Sequence, residues 1–274
     1  MTLGHAGPCS RTYPEFVLDL PRSALLATWG NAFLAGRVPA AAAERAVTGG
    51  DEPHTVRSPG AAAGMSAAAP EDLGELLATL AAAGVRGLRL VLPVPGDALG
   101  LPGPQEFNLL ALGAGECVLA DGLGLVPEIT AFGSQWEPGA QVEWRLEPVE
   151  PRRVTDVGDL REAERELRGA LLEATETLER LDVARWRPDD ATAVAAVRGG
   201  GVAAGSLPPG TPPRALAVLA TAQRLRAVVE LAGRDDGAAV SGWEAQRRRE
   251  ALRGLDAVSR RAVVAAVNAW LEPA

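Results

Sequence analysis

The chain has 274 residues, 47% of them apolar, and a mean hydropathy near zero, which supplies a buried core and excludes disorder along the whole length. All 27 basic residues are arginine, so lysine chemistry is excluded, both the Schiff base and the lysine of a phosphate-binding loop. The net charge is −8, and the first 150 residues carry 8 arginines against 17 acids while the rest carries 19 against 18, which argues against a phosphate-backbone partner for the front half.

The first twelve residues read as a loose, disordered tail. Pro21 opens a helix that Gly36 closes, with Leu25, Leu26, Trp29 and Phe33 at helical spacing. A second, alanine-rich helix covers Pro39 to Val47. Residues 58–70 are rich in Ala, Gly, Ser and Pro and read as a flexible loop. A helix over Glu71–Ala83 follows, and Leu88–Leu92 reads as a strand. Pro93–Pro104 is too rich in Pro and Gly for anything but a loop. Glu106–Leu112 is a short helix, and Glu116–Ala120 and Leu125–Phe132 are strands. Pro127 places the second of these at an edge or a bulge. Gln141–Leu146 alternates polar and apolar, the pattern of a strand with one wet face.

Behind this lies a long helix from Asp159 to about Trp186, then a short one from Pro188 to about Val197. A Gly/Pro linker spans 199–213, and two or three helices follow over 215–232, 243–253 and 255–271. The expected fold is α+β (or α/β): a small mixed sheet of about four strands with helices in residues 1–150, followed by a helical bundle in 151–274. No repeat of 20–50 residues points to a solenoid.

Signals for chemistry are sparse. The best candidate is Leu90–Asp97, which leaves a strand end and delivers Asp97 into a rigid Pro/Gly loop, where α/β sheets place ligands. Glu106 follows at the next helix start, and the two carboxylates could share acid–base work. The plainer reading is that Asp97 serves the turn itself. Glu116, Asp121 and Glu128 complete the acidic set, without the spacing of a cation loop.

The two G-x-G pieces, at 113–115 and 122–124, run into strands rather than helices and make no nucleotide fingerprint. A closed zinc site would need His5, Cys9, His54 and Cys117 together, so no metal and no cofactor are expected. Arg247–Arg249, Arg253, Arg260 and Arg261 point in several directions on a helix and read as a solvated, salt-bridged surface. Trp136 sits in a polar loop. It is a candidate contact residue, or it folds back over the sheet.

Two widely spaced cysteines suit a reducing cytoplasm, and Glu15 and Asp19 spoil a signal peptide's basic start. No membrane span is expected. The resulting expectation is a cytoplasmic, non-catalytic protein that binds another protein or itself. The alternative is a small-molecule sensor or enzyme using acidic residues of the Pro93–Pro104 loop.

Overall fold

A five-stranded mixed sheet separates two unequal hydrophobic layers. The computed structural model describes residues 20–58, 70–134, 137–150, 159–180, 206–233 and 242–271. In chain order the elements are α1 (Arg22–Leu34), α2 (Ala40–Thr48), β1 (Thr55–Arg57), α3 (Leu73–Ala82), β2 (Arg89–Val91), α4 (Gln105–Ala114), β3 (Cys117–Ala120), β4 (Leu123–Gly133) and β5 (Pro138–Pro148). The helical part contributes α5 (Leu160–Arg180), α6 (Pro213–Gly233) and α7 (Gly242–Asn268), closed by a 3-10 turn at Ala269–Leu271. This is the mixed α+β architecture with a helical carboxyl-terminal part that the residue pattern implies.

Strand order is β1-β5-β4-β3-β2, antiparallel except for the parallel pair β1–β5. The sheet therefore has five strands rather than about four. β1 carries no strand signal in the sequence because three residues are too few to display an alternation. Period-two patterning sorts side chains between the layers. Leu90, Val118, Leu125, Val142, Trp144 and Leu146 enter the main core with residues of α1, α2, α3, α5, α6 and α7. Val91, Cys117, Leu119 and Val126 face the other way, onto Phe107 and Ala111 of α4.

Helix starts follow from local chemistry. Asp72 caps α3 by accepting the Glu75 amide at 2.8 Å, while the Glu75 carboxylate accepts the Glu71 amide at 3.0 Å. Asp159 caps α5 through the Glu162 amide at 2.8 Å. α1 has no capping side chain of its own at Pro21, and Glu116 supplies one from the start of β3, accepting the Ser23 amide at 2.7 Å.

α7 differs from expectation. It runs unbroken through Gly254, where two helices were anticipated, because a glycine inside a helix costs only about 1 kcal/mol and α7 packs along both α5 and α6. Its run Ala262–Val267 is buried on every side. The expected tail over 1–12, the short helix over 188–197 and nearly all of the loop over 58–70 lie outside the described residues.

Both sheet borders are covered by the rest of the chain. In β2, residues 89 and 91 face β3, so the backbone groups of 88, 90 and 92 point outward. Asn31 of α1 accepts the Leu88 amide at 2.7 Å and donates to its carbonyl at 2.8 Å. Asn268 of α7 treats Leu90 the same way, at 2.8 and 3.1 Å. Arg260 Nη1 donates to the Leu92 carbonyl at 2.7 Å. On the other border the Val56 amide donates to the Glu71 carbonyl at 3.0 Å.

Candidate functional site

The loop after β2 has the form its composition suggests. Val94 and Asp97 exchange backbone hydrogen bonds of 3.0 and 2.8 Å around Pro95-Gly96, and Gly96 takes φ +89°, open to glycine and costly for other residues. The turn aims Asp97 at α7. Its carboxylate accepts from Arg260 at 3.3 Å and from Arg261 at 3.4 Å. Burial pushes that carboxyl up, but the two guanidinium groups outweigh it and leave it below the ordinary aspartate range. Arg260 is fully engaged, with its Nε on Asp256 at 3.0 Å and Nη1 on the Leu92 carbonyl.

The crevice beside Asp97 is lined by Val91, Leu92, Leu99, Arg260, Arg261 and Val264 and holds about 20 Å³. That is room for one water and no metabolite. Asp97 thus ties the loop to α7. Arg260, read from sequence as solvated surface, has a side chain only 7% exposed. Its burial is invisible along α7 alone, because the groups that satisfy it come from β2 and its loop.

Glu106 stands exposed in the first turn of α4 and does not line that crevice. Trp136 lies outside the described residues. Burial pushes the Glu116 carboxyl up, against the opposing pull of the Ser23 amide it caps. His54 is buried, with Nε2 3.3 Å from Asp51 and Nδ1 accepting from the Trp144 indole at 3.2 Å. Cys117 is buried on the α4 side, where desolvation pushes its thiol far up, so it behaves as a small apolar residue. Among the described residues no three candidate ligands gather as a metal site.

A different feature is exposed. β3 pairs with β4 only as far as Val118–Leu125, whereas β5 accompanies β4 to Gly133. Beyond Glu128, whose partner Glu143 still pairs with Thr55 of β1, β4 and β5 continue as a two-stranded arm. Alternation turns the backbone groups of Pro127, Ile129 and Ala131 away from β5, so the missing Pro127 N–H falls on the open side. The Ile129 and Ala131 groups have no backbone partner on that side among the described residues. Ile129 and Phe132 are 40% and 49% exposed. Of the edge or bulge that Pro127 implies in sequence, the structure has the edge; the length of the arm did not show, because the end of β3 is a matter of pairing.

Fold and surfaces together define a two-part α+β protein, a mixed sheet whose β2 border is sealed by side chains of α1 and α7. The chain belongs to the Rv1486c-like proteins, matching the family's N-terminal domain over residues 23–157 and its C-terminal domain over 161–264. It is similar to the Uncharacterized protein Rv1486c of Mycobacterium tuberculosis (strain ATCC 25618 / H37Rv), 33% identical over 287 residues spanning 92% of this chain and 98% of the relative. The same identity and coverage hold for the Uncharacterized protein MT1533 of Mycobacterium tuberculosis (strain CDC 1551 / Oshkosh). No solved structure matches the chain. Among the described residues no helix is long and apolar enough to cross a membrane.

Proposed function

We propose that this is a cytoplasmic, non-catalytic protein that works by protein–protein contact, adding a strand to the open edge of β4. The observation that carries the reading is the Glu128–Phe132 stretch, with unpaired outward backbone at Ile129 and Ala131 and exposed Ile129 and Phe132. Elsewhere the fold seals its sheet borders, and such an edge is a template for strand addition. The cytoplasm is the compartment that the cysteine usage favours.

The occupant this edge favours is a second copy of the chain. An antiparallel pair about a two-fold axis at Thr130 sets Ile129 against Ala131 of the other copy, both with outward donors and acceptors, for about four backbone bonds. Thr130 then faces Thr130, a favourable β-branched pair. Glu128, the only charge in the stretch, faces Phe132 rather than its own counterpart, so no like charges meet.

Replacing Ala131 by proline removes the outward N–H and leaves the β5 side of the ladder intact. The wild-type chain is expected to sediment as a concentration-dependent dimer whose Ile129 and Ala131 amides are protected from exchange. Ala131→Pro is expected to be monomeric with a melting temperature within a few degrees of the monomeric wild type. A wild type that stays monomeric at hundreds of micromolar, with both amides exchanging freely, would defeat the reading.

A further inference from the structure

At the other end of β2 from Asp97 lies a cavity of about 430 Å³, a size that accommodates small ligands. It opens between the start of β2, the turn from β3 to β4, the Pro102 region and the residues that follow β5. Leu119, Leu123 and Val149 give it apolar walls. Its rim is held by backbone, with the Val149 amide on the Gly122 carbonyl at 2.9 Å and the Glu150 amide on the Gly103 carbonyl at 3.1 Å.

Three charged residues line it: Arg89, Asp121 and Glu150. Arg89 is half-buried on β2 beside Leu119. Its guanidinium has no hydrogen bond or ion pair among the described residues, and the carboxylates of Asp121 and Glu150 likewise have none. Arg22, Arg57, Arg145, Arg214 and Arg260 by contrast each pair with an acid. Asp121 and Glu150 are exposed, so one half-buried guanidinium and two exposed carboxylates line the same cavity with no ion pair between them among the described residues. A guanidinium always carries its charge and offers a planar fork that fits a carboxylate. Two further carboxylates repel a simple anion and attract an ammonium.

We infer that this cavity binds a small zwitterion with an apolar side chain, of free amino-acid or dipeptide size. Arg89 takes the carboxylate, Asp121 and Glu150 take the ammonium, and the leucine and valine walls take the side chain. This site does not depend on the pairing of β4 edges.

Isothermal titration of the full chain with L-leucine and with L-leucyl-L-leucine tests it, using N-acetyl-L-leucine and L-leucine amide as blocked controls. At least one zwitterion is expected to bind saturably at one site, and which one binds separates the two sizes. Each blocked control is expected to bind about tenfold more weakly or worse. Arg89→Gln is expected to weaken the zwitterion by a similar factor while melting like the unliganded wild type. The double variant Asp121→Asn, Glu150→Gln should weaken L-leucine but not N-acetyl-L-leucine. No saturable binding of either zwitterion at millimolar concentration overturns the proposal. So does equal binding by folded Arg89→Gln, or by the blocked controls.

Discussion

His54 is held at both ring nitrogens, and this determines its chemistry. The Trp144 indole can only donate, so Nδ1 must be the acceptor and the proton sits on Nε2, facing Asp51. Arg22 closes the chain from the far side, with two bonds of 3.0 and 2.9 Å to the same carboxylate. Burial lowers the pKa of His54 more than Asp51 raises it, leaving the ring neutral and below its ordinary value of 6.5. A second proton on Nδ1 would point at the Trp144 N–H. The unfolded chain therefore binds that proton more readily than the fold does. The stability contributed here is complete above pH 6.5 and lost as pH falls through the folded pKa. In scanning calorimetry between pH 7 and pH 5, the wild-type melting temperature should fall more steeply than that of His54→Gln, which keeps a donor and an acceptor and does not titrate. Parallel slopes would refute the neutral, doubly bonded ring.

At the scale of elements, β2 shows how three side chains replace a missing strand. Asn31 and Asn268 meet both outward backbone groups of residues 88 and 90, and Arg260 meets the carbonyl of residue 92, so side chains take the place of a further strand along this border. α1 reaches close enough for this because of Gly30, where an added Cβ would lie 2.4 Å from a Leu88 methyl. Asn31→Ala strands the buried N–H and C=O of Leu88 together, at a cost of about 3 kcal/mol. Asn268→Ala, at a site only partly buried, should cost about 1–2 kcal/mol. Urea denaturation measures both, and losses below about 0.5 kcal/mol in each would show that water replaces the amides freely.

Over the whole molecule, α7 connects the two sequence halves. It contributes Arg260 and Asn268 to the border of β2, and Val263 and Val267 to the same core that holds Leu90, Trp144 and Leu146. α5 joins that core through Leu160, Ala163 and Leu167. Truncation after residue 241 uncovers both an apolar face and a strand edge, so residues 1–241 should lose the cooperative thermal transition and become sensitive to protease. A truncated chain that melts cooperatively at the full-length temperature would instead make the front half an independent unit.

The elements carried by periodicity and punctuation are legible in the sequence. The α1 stripe of Leu25, Leu26, Trp29 and Phe33, the alternation over Gln141–Leu146 and the Pro-Gly turn before Asp97 are local consequences of side-chain spacing and allowed φ. Pro127 likewise pointed to an edge or a bulge, since a residue without an N–H cannot face a partner strand. β1, the burial of Arg260, the capping of α1 by Glu116 and the two asparagines on β2 were not legible. In each case the partner across the fold is 57 or more residues distant, and an asparagine or arginine on a helix looks the same whether it faces water or a backbone edge. The cavity at Arg89 belongs to the same class, because it is a gap between four segments remote in sequence. Composition and local pattern determined most of the helices, strands and turns, β1 and the continuity of α7 excepted. Which polar groups are buried, sealed or left open was decided by tertiary packing alone, because desolvation depends on what another part of the chain brings into contact.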